Sequence, residues 1–262
     1  MKVATIGHLD NKNRLKQLPK SWIRKKMVVS PEYKFEGIKG YYFLALKLTA
    51  QQMMSLPKNK VQQQILNAAL YAQNEFEVDL IQLGGLTTSV TKGGIWLTEQ
   101  KEYSGLVNHG DSYTAAIACK AVLKILNLKN KEPSDLVLAI VGSYGIIGEA
   151  VSKILVPLFA HSILIGRREE KLQELRDKIE GSFETKTKLK TIDADIIVTA
   201  TSHPTTLLKS EHLKEDAIIV DVSQPPNLAQ DLCRKRSDIC RIDGGYVDFS
   251  EEINMMKRPN NR

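Results

Sequence analysis

Apolar residues recur along this chain with two periods, and the order of those periods sketches a fold. Over 37–49, Tyr42, Leu44, Leu46 and Leu48 alternate with Tyr41, Phe43, Ala45 and Lys47, a period of two that predicts a strand. Val61, Ile65, Leu66, Ala69 and Leu70 repeat every three to four positions, which predicts a helix over 58–75 with one apolar face. Short apolar runs at 2–9, 78–83, 136–141, 162–165, 194–200, 217–222 and 238–242 read as further strands. Helical patterns fall between them at 149–156 and at 169–179, where Leu172, Leu175 and Ile179 share an inner face. The stretch from Asp111 to about Leu126 is apolar nearly all round, which predicts a buried helix, placed between two domains. A polar stretch, 127–135, then reads as a linker, and a helical piece at 250–256 precedes a polar tail. Strands alternating with helices mark the α/β class. The expected arrangement is an N-terminal α/β substrate domain (1–128), a doubly wound parallel-sheet Rossmann domain (129–248) and a C-terminal helical tail (249–262).

The stretch 136–168 organises the rest. An apolar run turns on Gly142-Ser143-Tyr144-Gly145-Ile146-Ile147-Gly148, continues as a helix, and reaches a second strand that ends in Gly166-Arg167-Arg168. Strand, glycine turn, helix and parallel strand in about thirty residues make a dinucleotide-binding unit. Gly142 allows the sharp turn, Gly145 lets a pyrophosphate approach the backbone, Gly148 lets the helix pack on the sheet, and the free amides at the helix start bind phosphate. The spacing G-x-x-G-x-x-G is looser than G-x-G-x-x-G, so its weight comes from this context. An NAD site usually carries an acidic residue at the end of the second strand. Here Arg167 and Arg168 suit a 2′-phosphate, so NADPH is the expected cofactor. Thr201, Ser202 and His203 follow the strand at 194–200, Ser223 follows the next, and Gly244-Gly245 follow the last. All lie at the carboxyl edge where such sheets bind ligands.

Composition narrows the picture. With 42% hydrophobic and 26% charged residues the chain is an ordinary globular protein, without an apolar run of membrane-spanning length or an opening signal peptide. Cys119, Cys233 and Cys240 show no metal-ligand or disulfide spacing, which sets a reducing cytoplasm as the expected location and no metal as the expected state. A net charge of +7 suits an anionic cofactor or an acidic partner, and the basic residues form no nucleic-acid module. In the first domain, the hydroxyl-rich run 86–94 reads equally as a binding loop or a surface turn. Its Thr87 and Ser89, with His8 at the end of the first strand, are candidate substrate contacts, as are Tyr113 and His203.

Several motifs in order extend beyond the glycine turn. Ile6-Gly7-His8-Leu9, Leu83-Gly84-Gly85-Leu86-Thr87-Thr88-Ser89, Gly110-Asp111-Ser112-Tyr113-Thr114-Ala115, the 142–148 turn, Gln224-Pro225-Pro226-Asn227-Leu228-Ala229 and Gly244-Gly245 run through nearly the whole chain. Together they resemble the long-chain acyl-ACP (acyl carrier protein) reductases, best known from cyanobacteria, and their relatives described as amino-acid dehydrogenases. The resemblance implies NADPH-dependent reduction of an acyl thioester to an aldehyde, delivered on an acidic carrier protein. In that family a cysteine in a C-terminal segment carries the acyl group. The chain ends at Arg262 without a counterpart, so the acyl-enzyme route is expected to be lacking. Asp111 stands where the family has Asn, and Tyr113 where it has His.

The order of domains also resembles shikimate-dehydrogenase-like enzymes, in which a Lys or Asp near the cleft handles protons. Lys92 and Asp111 are the counterparts by position in the chain, and Ser112 is a hydrogen-bond donor for a carbonyl oxygen. Two other readings stay open: a dehydrogenase of a small amino, hydroxy or keto acid, and a nucleotide-binding protein without turnover. A homo-oligomer is compatible with each.

Overall fold

The computed structural model describes residues 1–35, 37–203, 205–223 and 225–244. They form two compact units, one spanning Met1–Gly110 and one beginning at Asp111.

The first unit contains, in order, β1 (Lys2–Leu9), α1 (Arg14–Gln17), β2 (Met27–Val29), β3 (Tyr33–Phe35), β4 (Ile38–Thr49), α2 (Ala50–Ser55), α3 (Lys58–Phe76), β5 (Leu80–Leu83), α4 (Leu86–Val90), α5 (Ile95–Thr98) and β6 (Leu106–His109). Its sheet has the order β2-β4-β1-β5-β6, with β3 also on β4. β1, β4, β5 and β6 run parallel, while β2 and β3 are antiparallel to β4. The alternation along β4 is what packs it: Tyr42, Leu44, Leu46 and Leu48 are buried in one cluster with Val61, Ile65, Leu66 and Ala69 of α3. Where β4 ends, Thr49 caps α2. Its side chain accepts from the Gln52 amide (3.3 Å) and its own amide donates to the Gln52 side chain (3.1 Å), so two otherwise orphaned amides are satisfied.

The second unit contains α6 (Asp111–Leu128), β7 (Val137–Val141), α7 (Ile146–Leu155), β8 (His161–Ile165), α8 (Glu169–Arg176), β9 (Phe183–Lys186), β10 (Ile196–Thr199), β11 (Ile218–Asp221), α9 (Gln230–Lys235) and β12 (Cys240–Asp243). Its strands are all parallel in the order β12-β11-β10-β7-β8-β9. β10 and β11 are buried at every position, because apolar clusters cover both faces of the sheet. The chain leaves β7 toward β8 and β9, then returns to its other side for β10 to β12. The carboxyl ends of β7 and β10 therefore open a crevice, the place where such sheets bind ligands.

Three expectations change. α6 is not buried all round: Ala115, Ala118, Cys119, Val122 and Leu126 form one buried stripe, packed in a cluster with Leu138, Val151 and Ile218. Leu123 and Leu128 are exposed. That stripe packs α6 with the unit that begins at Asp111. The run 86–94 begins as a helix, α4, rather than a loop, and its threonines are largely buried. β2, β3, β6 and β9 are added to the strands read from periodicity; each is three or four residues long, too short to show a period. The helical piece expected at 250–256 lies outside the described residues.

Candidate cofactor site

The site is built on the turn after β7. Gly142 takes φ +87, and a Cβ there would sit 2.5 Å from the Ala200 carbonyl oxygen, so conformation and space both require glycine. The amides of Gly142 and Ser143 donate to the Ile165 carbonyl (2.8 and 3.1 Å), and the Gly145 amide donates back to Gly142 (3.0 Å). The turn is thus bolted to the end of β8. A Cβ on Gly148 would strike the Gly142 carbonyl oxygen and lie 2.8 Å from its carbon, so α7 can press against the turn only with glycine there. Gly145 differs: a Cβ would meet only the Gly142 oxygen at 3.2 Å and the Ala200 oxygen at 3.7 Å. The first helical hydrogen bond is Glu149 amide to Gly145 carbonyl (2.7 Å), which leaves the preceding amides of α7, at Ile146 and Ile147, aimed out of the helix end.

Above this turn lies a cleft of ≈ 250 Å³. It brings together Gly142, Tyr144, Gly145, Arg167, Thr201, Ser202 and His203 from the sequence-derived set, and adds Thr187, Leu189 and Leu207, which periodicity did not mark. Arg168 stands beside it, its guanidinium 5.4 Å from the centre of the Tyr144 ring. Ser143 is buried, and its hydroxyl donates to the Ile165 carbonyl (3.3 Å). Ile147 packs into the core and Ile146 is exposed. A Cβ on Gly244 would lie 2.6 Å from Val222, and Gly245 lies outside the described residues.

A buried carboxylate that sequence reading missed fixes the Thr201 side of the cleft. Asp221 ends β11 almost fully buried. Its Oδ1 accepts from the Thr199 hydroxyl (2.6 Å) and the Ser223 amide (3.1 Å), and its Oδ2 from the amides of Asn227 (2.9 Å) and Leu228 (3.0 Å). Arg241 stands 3.6 Å away. Asn227, held by this carboxylate, accepts through Oδ1 from the hydroxyls of Thr201 (2.6 Å) and Ser223 (3.0 Å). Ser223 in turn accepts the Thr201 amide (3.0 Å), so its own hydroxyl serves Thr201 rather than open space. The signal for Asp221 was an acidic residue inside an apolar run; a charge there must find partners.

The remaining candidates divide between the units. Asp111, Ser112 and Tyr113 form the first turn of α6; Asp111 is half-buried and the other two are exposed. None of the three lines the cleft. In the first unit, His8 lies at the end of β1 with its ring against Gly85, where a Cβ would come 2.8 Å from Nε2. The Thr87 hydroxyl is buried and donates to the carbonyls of Gly84 (2.8 Å) and Ile6 (3.1 Å). Ser89 and Lys92 are exposed, and Lys92 takes φ 55. Burial pushes the Cys119 thiol up to about 11. Cys233 is half-buried in α9, and Cys240 is half-buried on β12, the strand at the sheet's edge. Among the described residues no group of three or more His, Cys, Asp or Glu is placed to hold a metal, and no helix is long and apolar enough to cross a membrane.

A parallel sheet of this order, with a glycine turn and a helix start at the point where the strand order reverses, defines a dinucleotide-binding Rossmann domain. Residues 126–243 match the family described as shikimate / quinate 5-dehydrogenase, so the likeness falls on the second unit and supports the NAD(P)-dependent oxidoreductase class. The aminotransferase PigE of Serratia sp. (strain ATCC 39006) is 25% identical over 183 residues, which is 68% of this chain and 21% of PigE. The chain thus spans about a fifth of that relative. Among solved structures, the nucleotide-binding domain of glutamyl-tRNA reductase from Thermoplasma volcanium is 18% identical with a TM-score of 0.37, covering 49% of this chain and 84% of that one. L-tryptophan dehydrogenase from Nostoc punctiforme is 12% identical with a TM-score of 0.45, covering 92% of this chain and 69% of that one. At these identities the likeness is one of fold alone.

Proposed function

We propose that the protein is an NADP(H)-dependent oxidoreductase acting at a carbonyl carbon, with reduction of an acyl thioester to an aldehyde as the reaction its motifs resemble most. The observation that carries the cofactor half is the rim of the cleft. Gly166, Arg167 and Arg168 follow β8, and among the described residues no Asp or Glu lines the cleft. A ribose diol calls for a carboxylate at that strand end, whereas a 2′-phosphate calls for guanidinium groups. NADPH, when bound, supplies the hydride; the protein binds, orients and excludes water.

The amides at the start of α7 suit the pyrophosphate, and Gly145 leaves room for it. Leu189 and Leu207 give the cleft apolar walls. Thr201, clamped by Ser223 and Asn227, holds the loop at the end of β10 in one geometry. Protons are assigned to Asp111 or Lys92, and the hydrogen bond to the carbonyl oxygen to Ser112 or Tyr113. His8, Ser89 and His203 are assigned to polar parts of the substrate. Thr87 contributes shape only, since its hydroxyl is committed to backbone carbonyls. The net charge of +7 suits an acidic carrier protein as the donor of an acyl group.

Fluorescence titration with NADPH and NADH, followed by NADPH oxidation against acyl thioesters, aldehydes and small keto acids, tests this reading. The expected result is NADPH binding at least about tenfold tighter than NADH, a difference of roughly 1.4 kcal/mol, and turnover with acyl thioesters. Turnover with keto acids alone would replace the acyl substrate by a small acid. Equal affinity for the two cofactors, or no oxidation with any of the panel, would overturn the proposal.

A further inference from the structure

The ring of Tyr144 occupies an unusual place. Tyr144 belongs to the glycine turn, yet its ring lies against the backbone of Gly166, on the neighbouring strand end. A Cβ on Gly166 would strike Tyr144 Cε1 and lie 2.6 Å from Cδ1 and 3.3 Å from Cζ. Gly166 is buried, and its amide donates to the Lys186 carbonyl (3.1 Å), so the floor under the ring is fixed. The turn that carries Tyr144 is fixed as well, by the Gly142 and Ser143 amides on Ile165. Over the ring sits the guanidinium of Arg168.

Among the described residues no hydrogen bond or ion pair holds the Arg168 side chain there. Its side chain is exposed, and the residues that follow it, Glu169 and Glu170, open α8 as carboxylates. Glu174, one turn further, feels the charge of Arg168 as well as that of Lys171. A free guanidinium would distribute itself among these acids. A ring face attracts it to the cleft side instead, through the negative face of the π system.

We infer that Tyr144 is a specificity-determining positioning residue: with Gly166 as its floor, its ring holds Arg168 at the rim of the cleft, and this sets the preference for a cofactor bearing a 2′-phosphate. The inference rests on the NADP(H) reading above and adds to it a residue that acts through another. Tyr144 needs its ring for this role and not its hydroxyl. Gly166 is glycine because any side chain there would evict the ring.

The test is titration of the full chain with NADPH and with NADH, for wild type, Tyr144→Leu, Tyr144→Phe, Arg168→Ala and the Tyr144→Leu/Arg168→Ala double variant. Tyr144→Leu is expected to weaken NADPH roughly three- to tenfold more than it weakens NADH, the range of a partly exposed cation–π contact. Circular dichroism melts of each variant show that it is folded. Tyr144→Phe is expected to retain the wild-type ratio. The double variant is expected to lose no more than Arg168→Ala alone, because the two residues act as one unit. If Tyr144→Phe behaves like Tyr144→Leu, if Tyr144→Leu weakens both cofactors alike, or if the two losses add in the double variant, the inference is wrong. Should wild type bind both cofactors equally, the NADP(H) reading itself fails. Should Arg167→Ala abolish the preference while Arg168→Ala leaves it intact, that reading stands and the role given to Tyr144 does not.

Discussion

The three glycines of the turn look alike in the sequence but meet three different constraints. Gly142 is bound by its positive φ, Gly148 by the carbonyl it presses on, and Gly145 by neither. Adding a side chain therefore separates folding from binding. Gly148→Val is expected to destabilise the second unit by about 1–3 kcal/mol or more, the usual cost of overpacking, here against backbone that cannot yield. Gly145→Val is expected to keep the fold, with a smaller drop in melting temperature than Gly148→Val because its tightest contact is 3.2 Å from the Gly142 oxygen, and to lose NADPH binding, since its side chain would project where a pyrophosphate approaches. Thermal melts with and without NADPH check both. Normal NADPH binding in a folded Gly145→Val would place the phosphate site elsewhere.

Among the elements, β7 and β10 are tied at their starts by one residue. The Asp195 carboxylate accepts from the Val137 amide (2.9 Å) and from Lys214 (2.5 Å), and its own amide donates to the Val137 carbonyl (2.9 Å). Burial pushes this carboxyl up, but the Lys214 and Val137 hydrogen bonds outweigh it and hold it below the usual Asp value. A depressed carboxyl binds its proton less readily in the folded state. Its stabilisation is therefore present in full above about pH 4, the unfolded value, and is lost as pH falls through the folded one. Lys214→Met is expected to cost about 0.5–1 kcal/mol at pH 7, a modest figure because the lysine is half exposed. The cost should shrink toward zero as the pH is lowered through that range. Urea unfolding at several pH values would show it, and a cost that is flat with pH would contradict the assignment.

The same elements mark what a single sequence can and cannot display. The β7–turn–α7–β8 unit was legible because its glycines, apolar runs and helix are contiguous, so local physics determines it. α4 was not, because its hydroxyl-rich composition makes sense only once Thr87 meets the Ile6 carbonyl of a distant strand. The short strands β2, β3, β6 and β9 likewise exist through pairing with remote partners. In the site, the phosphate-facing glycines and the arginines were legible for the same local reason. Thr187, Leu189 and Leu207 reach the cleft only through the fold, and the commitment of Ser143 and Ser223 to backbone and network partners appears only there.

At the scale of the whole chain, the unit beginning at Asp111 owns its first helix. The stripe Ala115, Ala118, Cys119, Val122 and Leu126 completes a core shared with β7, β10 and β11. A fragment beginning at Asp111 is expected to melt cooperatively. One beginning at residue 129 should lose several kcal/mol, since each fully buried Val or Leu contributes about 1.5–3 kcal/mol, and it should bind a dye for exposed apolar surface. Circular dichroism and dye fluorescence on both fragments decide between this boundary and one after α6.

The carboxylate at the end of β11 carries a consequence for how the sequence can change over generations. Each oxygen of Asp221 accepts two hydrogen bonds, and two of the residues that donate them, Ser223 and Asn227, are themselves the supports of Thr201. Replacing Asp221 alone strands Thr199 and the amides of Ser223, Asn227 and Leu228 in a dry interior. Replacing Asn227 alone strands two hydroxyls. No single step leads away from this arrangement without passing through a worse one. Thr199, Thr201, Asp221, Ser223 and Asn227 are therefore expected to tolerate change only together, while the apolar positions around them can exchange one methyl group at a time.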